Sequence, residues 1–235
     1  MRLRPGPAAI WLVRHGQSVG NALADSAQTA GLEHIDLPTR DADLPLTELG
    51  TEQARTFGRW LRAQPVESRP TYVVSSPYVR ASETARLVVE TVGGGLASRA
   101  VERDERLRDR EMGVAEQLTW AGIEARLPAE AERARRLGPY YWRPSGGESW
   151  ADVSQRLRAV LTGLAADLTG ERVLVVAHDV VIQLVRALVD GLDEAATVAL
   201  VGAGPYANCA LTAYEADGDR YRLTAWNQVV TPPRS

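Results

Sequence analysis

The sequence predicts an α/β fold: a three-layer α/β/α sandwich with a mostly parallel central sheet and an antiparallel C-terminal element. Three observations carry that reading. Apolar, strand-like runs at Ala8–Val13, Thr71–Ser75 and Arg172–Ala177 are each followed by a helix start or helical periodicity, the spacing of parallel βαβ units. The first run ends abruptly in Arg14-His15-Gly16, and the carboxyl ends of such strands are where open α/β sheets bind ligands. Near the C-terminus, Ala207–Glu215 and Arg220–Asn227 flank Ala216-Asp217-Gly218-Asp219, an Asp-Gly-centred turn that argues for a hairpin.

The helices follow from their punctuation. Thr47 suits the N-cap of a helix over Glu48–Arg62, with Leu49, Phe57, Trp60 and Leu61 on one face. After the second strand, Ser76 suits an N-cap and Pro77 the first helical position. This puts Arg80 in the first turn of a helix reaching about Val92 and stopped by Gly93-Gly94-Gly95. A third helix fits Trp150–Leu168, with Ser149 as cap and Gly170 as stop. The third strand leads through His178-Asp179 into Val180–Val189, closed by Gly191. The charge-rich stretch Arg99–Arg143 reads as an insertion or lid of helices and loops within a single domain spanning residues 1–235.

Composition removes several function classes. Hydrophobic residues make up 45% and charged residues 24%, as expected of an ordinary globular chain. A net charge of −3 gives no bulk attraction to nucleic acid or an anionic membrane. The N-terminus, Met1-Arg2-Leu3-Arg4-Pro5-Gly6, is basic, but only a short apolar run follows it. Neither a signal peptide nor a spanning segment is expected, and the cytoplasm is the default location. The single cysteine, Cys209, excludes an intrachain disulfide and reads as a small buried residue on a strand. All 27 basic residues are Arg, so there is no Lys for a Schiff base, a pyridoxal-phosphate anchor or a Walker-type loop. No cofactor is called for. A homodimer is allowed.

The residues at the strand ends point to phosphoryl transfer. An Arg suits bidentate phosphate binding, and a neutral imidazole nitrogen can attack phosphorus. Three strand-to-helix junctions supply Arg14, His15, Ser18 and Asn21, then Arg80, then His178. Brought together, they would form a donor-rich anion pocket above helix N-termini. A metal-dependent hydrolase using His15, His34, His178 and nearby Asp stays a weaker alternative, because no His-x-His or His-Glu-x-x-His spacing is present. A catalytically silent phosphoester-binding module is a third reading.

Five motifs in order resemble the histidine phosphatase superfamily, the phosphoglycerate-mutase-like group. They are Arg14-His15-Gly16-x-Ser18-x-x-Asn21, Leu46-Thr47-Glu48-Leu49-Gly50, Ser76-x-x-x-Arg80-Ala81-x-x-Thr84-Ala85, Gly147-Glu148-Ser149 and Val175-Val176-Ala177-His178. The resemblance implies that His15 is a nucleophile forming phosphohistidine. It implies that Arg14, Arg80 and His178 bind the phosphoryl group with help from Asn21. The family's acid box, Leu-x-Glu-x-x-x-Gly, reads Leu107-Arg108-Asp109-Arg110-Glu111-Met112-Gly113 here, so Asp109 takes the proton-donor position and Glu111 lies two residues on. Asp179 stands where Gly is usual in this branch, and it is a second candidate acid. Ser18, Arg143 and Glu148 are further candidates for substrate contact. The expected activity is metal-independent hydrolysis of a small phosphomonoester. A phosphoglycerate mutase is the alternative within the family, although its basic clamps, one a Lys, are not matched in Gln117–Leu127.

Overall fold

A computed structural model describes residues 6–97 and 100–231. The basic residues Met1–Pro5 and the proposed lid boundary at Arg99 lie outside the described residues. The strands are β1 (Ala9–Arg14), β2 (Tyr72–Ser75), β3 (Glu102–Arg103), β4 (Arg172–Ala177), β5 (Leu211–Asp217) and β6 (Arg220–Gln228). They form one mixed sheet in the order β3-β2-β4-β1-β5-β6. β1 and β2 both pair in parallel with β4, β2 pairs in parallel with β3, and β5 and β6 run antiparallel at the other edge. The parallel core and the C-terminal hairpin therefore match the sequence expectation.

Alternation along the strands builds the layers. Ile10 and Leu12 of β1, with Val173 and Val175 of β4, pack against helices α7 (Trp150–Asp167) and α8 (Asp179–Asp190) through Val153, Leu157, Ile182 and Val185. Val13 of β1, with Leu174 and Val176 of β4, faces α2 (Glu48–Ala63) and α3 (Val79–Val92) through Ala54, Phe57, Ala81 and Val88. A satellite core of Ala115, Ile123, Ala131, Ala134 and Trp142 lies under α5 (Trp120–Arg126) and α6 (Pro128–Tyr141). Thr47 and Ser149 cap α2 and α7 as their side chains predict. Leu49, expected on the buried face of α2, is exposed instead, because it falls in the first turn beyond the edge of the apolar stripe.

Three other local expectations change. The helix carrying Arg80 begins at Val79 with Tyr78 as N-cap, so neither Ser76 nor Pro77 opens it. Ser76 is occupied elsewhere: its Oγ lies 2.7 Å from His178 Nε2 and accepts a hydrogen bond from the Tyr78 N–H. Cys209 is buried but precedes β5. There its φ of +52° turns the chain, and its N–H donates to the Arg14 carbonyl. The 99–143 stretch holds more than helices and loops, since β3 extends the sheet. Between β2 and β3 lie α3 and the short α4 (Gly94–Ala97), and α1 (Val19–Thr29) and α9 (Glu194–Gly202) complete the helices used below.

Candidate active site

The first functional side chains leave the sheet at the carboxyl end of β1. Gly16 is needed there because a Cβ would stand 2.3 Å from the Gly50 carbonyl oxygen, and Gly50 in turn approaches Gln17 as closely. This contact seats the N-terminus of α2 on the loop. Ser18 and Asn21 then form a reciprocal capping box on α1, each side chain accepting from the other's backbone N–H at 3.1 Å. Ser18 is thereby a structural cap as well as a cleft wall.

His15 is buried, and its Nδ1 lies 2.7 Å from the Gly16 carbonyl oxygen. A carbonyl only accepts, so Nδ1 carries the proton and Nε2 presents its lone pair. Arg80 Nε donates to that Nε2 at 3.2 Å. Burial holds the His15 imidazole well below its ordinary pKa of 6.5, and the charges of His178, Arg80 and Arg14 add to the effect. At neutral pH it is an uncharged base.

His178 ends β4 as the N-cap of α8, its ring centroid 5.2 Å from that of His15. Its Nε2 meets Ser76, and its buried Nδ1 has no hydrogen-bond partner but lies 3.3 Å from Asp109 Oδ2. Burial pulls His178 down to about 3, against the opposing pull of Asp109.

Arg80 is 3% exposed and donates four hydrogen bonds. Besides His15, its guanidinium donates to the Asp41 carbonyl at 2.6 Å, to Asp41 Oδ2 at 2.8 Å and to Asp109 Oδ2 at 3.1 Å. Burial pushes the Asp109 carboxyl up, but His178 and Arg80 outweigh it and hold Asp109 below the usual carboxylate range. Of these two, only Arg80 is charged at neutral pH, so it is the cation that keeps Asp109 ionised. Arg14 donates to the Tyr206 carbonyl and sits 3.6 Å from Asp179 Oδ2, while its Nε is buried without a partner. Burial pushes Asp179 up despite Arg14, Gln183 and the Tyr206 N–H.

Of these groups, Asp41, Arg80, Asp109 and Asp179 line a cleft of about 680 Å³ whose walls also include Asn21, Tyr78, Glu111, Leu118 and Trp150, while His15 and His178 lie behind Arg80 and Asp109. Tyr78 Oη donates to Glu111 at 2.8 Å, which places Glu111 on the wall. Glu148 stands behind the site and braces it. It accepts from Arg108, from Arg156 and from the Glu111 N–H. Arg143 is a correction: it does not line the cleft but pairs with Asp152 at 2.7 Å on an exposed face, because the α7 cap acid is nearer to hand. His34 is exposed and forms a backbone bridge with Leu118, and it is not among the residues lining the cleft. Among the described residues, no group of three or more His, Cys, Asp or Glu is placed to hold a metal ion.

Sequence reasoning missed Asp41, Ser76 as a histidine partner, and Asn208, whose side chain donates to the His15 carbonyl at 2.9 Å. Ser76 stood next to a strand end and offered a signal. Asp41 and Asn208 lie in irregular segments where spacing carries no information. Among the described residues, no helix is long and apolar enough to cross a membrane.

Comparison with known proteins agrees with this geometry. The sequence profile described as "Histidine phosphatase superfamily (branch 1)" matches residues 10–229. A 2,3-bisphosphoglycerate-dependent phosphoglycerate mutase of Methylobacterium radiotolerans is 34% identical over 186 residues, covering 78% of this chain and 80% of that one. Among solved structures, a mycobacterial glucosyl-3-phosphoglycerate phosphatase in complex with VO3 is similar at a TM-score of 0.71 and 29% identity, covering 94% of this chain and 99% of that one. A putative alpha-ribazole-5'-P phosphatase from Escherichia coli K-12 shares the fold at a TM-score of 0.74 and 21% identity, covering 96% and 98%.

Proposed function

The chain belongs to the histidine phosphatase superfamily, branch 1, and from that premise we propose that it is a single-domain, metal-independent hydrolase of small phosphomonoesters. The carrying observation is the tautomer of His15. With Nδ1 committed to the Gly16 carbonyl, Nε2 carries the lone pair that attacks once its hydrogen bond from Arg80 Nε gives way, and burial keeps it unprotonated. Arg14 and Arg80 supply the fixed positive charge that phosphoryl transfer needs, with His178 Nδ1 and the Asn21 side chain completing the cradle. His15 Nε2 forms the N–P bond as the ester P–O bond breaks. The electron pair leaves on the alcohol oxygen, which takes a proton from Asp109, the carboxyl having gained that proton from solvent once the phosphoryl dianion offsets the charge of Arg80. Water then attacks phosphorus, giving its proton back to Asp109, and the N–P pair returns to His15.

Hydrolysis is favoured over mutase chemistry by the wall that would grip a phosphoglycerate carboxylate. From residues 117–127 the cleft receives only Gln117 and Leu118, while Arg126, the one cation of that stretch, is paired with Glu33 at 2.9 Å. A mutase must hold its intermediate beside an anionic acceptor, and these residues offer that acceptor no cation.

The test is to quench the protein in alkali while it turns over a chromogenic phosphomonoester. The expected result is an acid-labile, base-stable phosphoryl adduct, absent from His15→Ala, and a rate unchanged by prior treatment with EDTA. Turnover by His15→Ala within tenfold of the unmodified protein would refute the covalent mechanism. A loss with EDTA that a divalent ion restores would refute metal independence, and efficient 2,3-bisphosphoglycerate-dependent interconversion of phosphoglycerates would favour the mutase.

A further inference from the structure

The phosphate-binding guanidinium already carries an anion of the protein's own. Asp41 belongs to a single turn of 3-10 helix, Asp41–Asp43, in the segment between α1 and α2. It meets Arg80 twice, through its carbonyl at 2.6 Å and its carboxylate at 2.8 Å. One Arg80 nitrogen serves both Asp41 and Asp109. The fourth contact is Arg80 Nε on His15 Nε2, the nitrogen with the lone pair. Four of the five N–H donors of Arg80 are taken in this arrangement, so a phosphoryl group cannot engage the guanidinium through a two-point fork unless one of these contacts gives way.

The three partners are not equally easy to displace. Asp109 also accepts from the Arg110 N–H at 2.9 Å and faces His178, so its position is fixed from two sides. The side chain of Asp41 has Arg80 as its hydrogen-bonding partner and is 37% exposed, against 4% for Arg80. Its carboxylate can move into water with little loss, because a solvated carboxylate recovers its hydrogen bonds. A phosphoryl dianion brings more charge and a matching fork of oxygens, so it wins the contest while it is bound. The same contest runs in reverse when the product is inorganic phosphate.

We propose that Asp41 is a positioning residue that competes with phosphate for Arg80, so that it weakens product binding and speeds phosphate release. The inference rests on the assignment of Arg80 as phosphate clamp in the hydrolase reading. It makes an uncommon demand: deleting a charged side chain from the site should tighten the binding of phosphate. A carboxylate that merely held Arg80 in place would do the opposite, since its loss would let the clamp wander.

Calorimetric titration of the full chain with inorganic phosphate tests this without turnover. Asp41→Asn is expected to bind phosphate at least about tenfold tighter, because a charge that opposes the dianion at hydrogen-bond range is gone. Asp41→Ala, run in parallel, should shift the same way and keeps the test alive should the amide misfold. Asp43→Asn is the control on the same turn. Asp43 pairs with Arg40 at 2.8 Å rather than with Arg80, and it should bind phosphate within twofold of the unmodified protein. In turnover, Asp41→Asn should lower KM and the inhibition constant of phosphate together, with no gain in kcat. Unchanged or weaker phosphate binding in both Asp41 variants overturns the inference and leaves the hydrolase reading standing. If neither the unmodified protein nor either Asp41 variant binds phosphate at millimolar concentration, Arg80 is not a phosphate clamp and both readings fall.

Discussion

Lowering the pH from 7 to 5 should destabilise this protein, and His178 should be a measurable part of the loss. The imidazole is fully buried at the end of β4, and burial brings it from 6.5 down to about 3. The unfolded chain therefore binds a proton at His178 that the folded chain refuses throughout that interval. Stability from this group is fully present above pH 6.5 and drains away as the pH falls toward 3. At 1.36 kcal/mol per pH unit the whole interval is worth about 5 kcal/mol. Between pH 7 and pH 5, integration over the two protonation equilibria gives a loss of about 2 kcal/mol. Urea unfolding at the two pH values reads this directly, and His178→Asn separates it from other groups. The variant should be less stable at pH 7 yet lose about 2 kcal/mol less on acidification. His15, also held low by burial, titrates in both proteins and cancels in the comparison. If His178→Asn loses as much stability as the unmodified protein between pH 7 and 5, His178 is not held neutral by the fold and the reasoning fails.

Two further outcomes are expected at the site. Arg80→Ala should cost roughly 10²-fold or more in kcat/KM, and Arg80→Lys should recover less than about tenfold of it. A single ammonium cannot span His15, Asp41 and Asp109 as the guanidinium does; near-normal kinetics for the Lys variant would place Arg80 outside the pocket. Asp109→Asn should slow hydrolysis of an alkyl phosphate far more than that of an aryl phosphate with a good leaving group, because a good leaving group departs without a proton. Equal slowing of both would pass the acid role to Asp179 or Glu111, whichever variant shows the selective defect.

The parts of this molecule that were legible in the sequence are those set by local rules. β4 spans Arg172–Ala177 in sequence and structure alike, because an unbroken apolar run buried on both faces has sharp ends. Thr47 and Ser149 announced α2 and α7 because a capping hydroxyl acts within three residues. Ser76 shows where this logic stops. Its position suited a cap, but a histidine 102 residues away offered its hydroxyl another partner, and the helix opened two residues later. Arg143 fails for the same reason in the other direction. Its sequence neighbours suggested a cleft rim, and the α7 cap acid Asp152 draws it away. Asp41 had no local signal at all. It earns its place only through Arg80, 39 positions on, in a segment with no regular pairing.

On the proposed mechanism an ionised Asp109 must still act as an acid, and the charge inventory around His15 gives it a way to do so. Arg14 and Arg80 are faced by Asp41, Asp109 and Asp179, while the two histidines are neutral at pH 7. The two cations thus face three carboxylates, and Asp109 stays ionised because Arg80 is at its side. A phosphoryl dianion changes both terms. It offsets the charge of Arg80, and it brings negative charge next to a carboxylate that burial already disfavours as an anion. Both effects raise the affinity of Asp109 for a proton at the moment when the leaving oxygen needs one. On the proposed mechanism the proton donor is armed by its substrate, and water reaching phosphohistidine would find the same carboxylate deprotonated and ready to act as base.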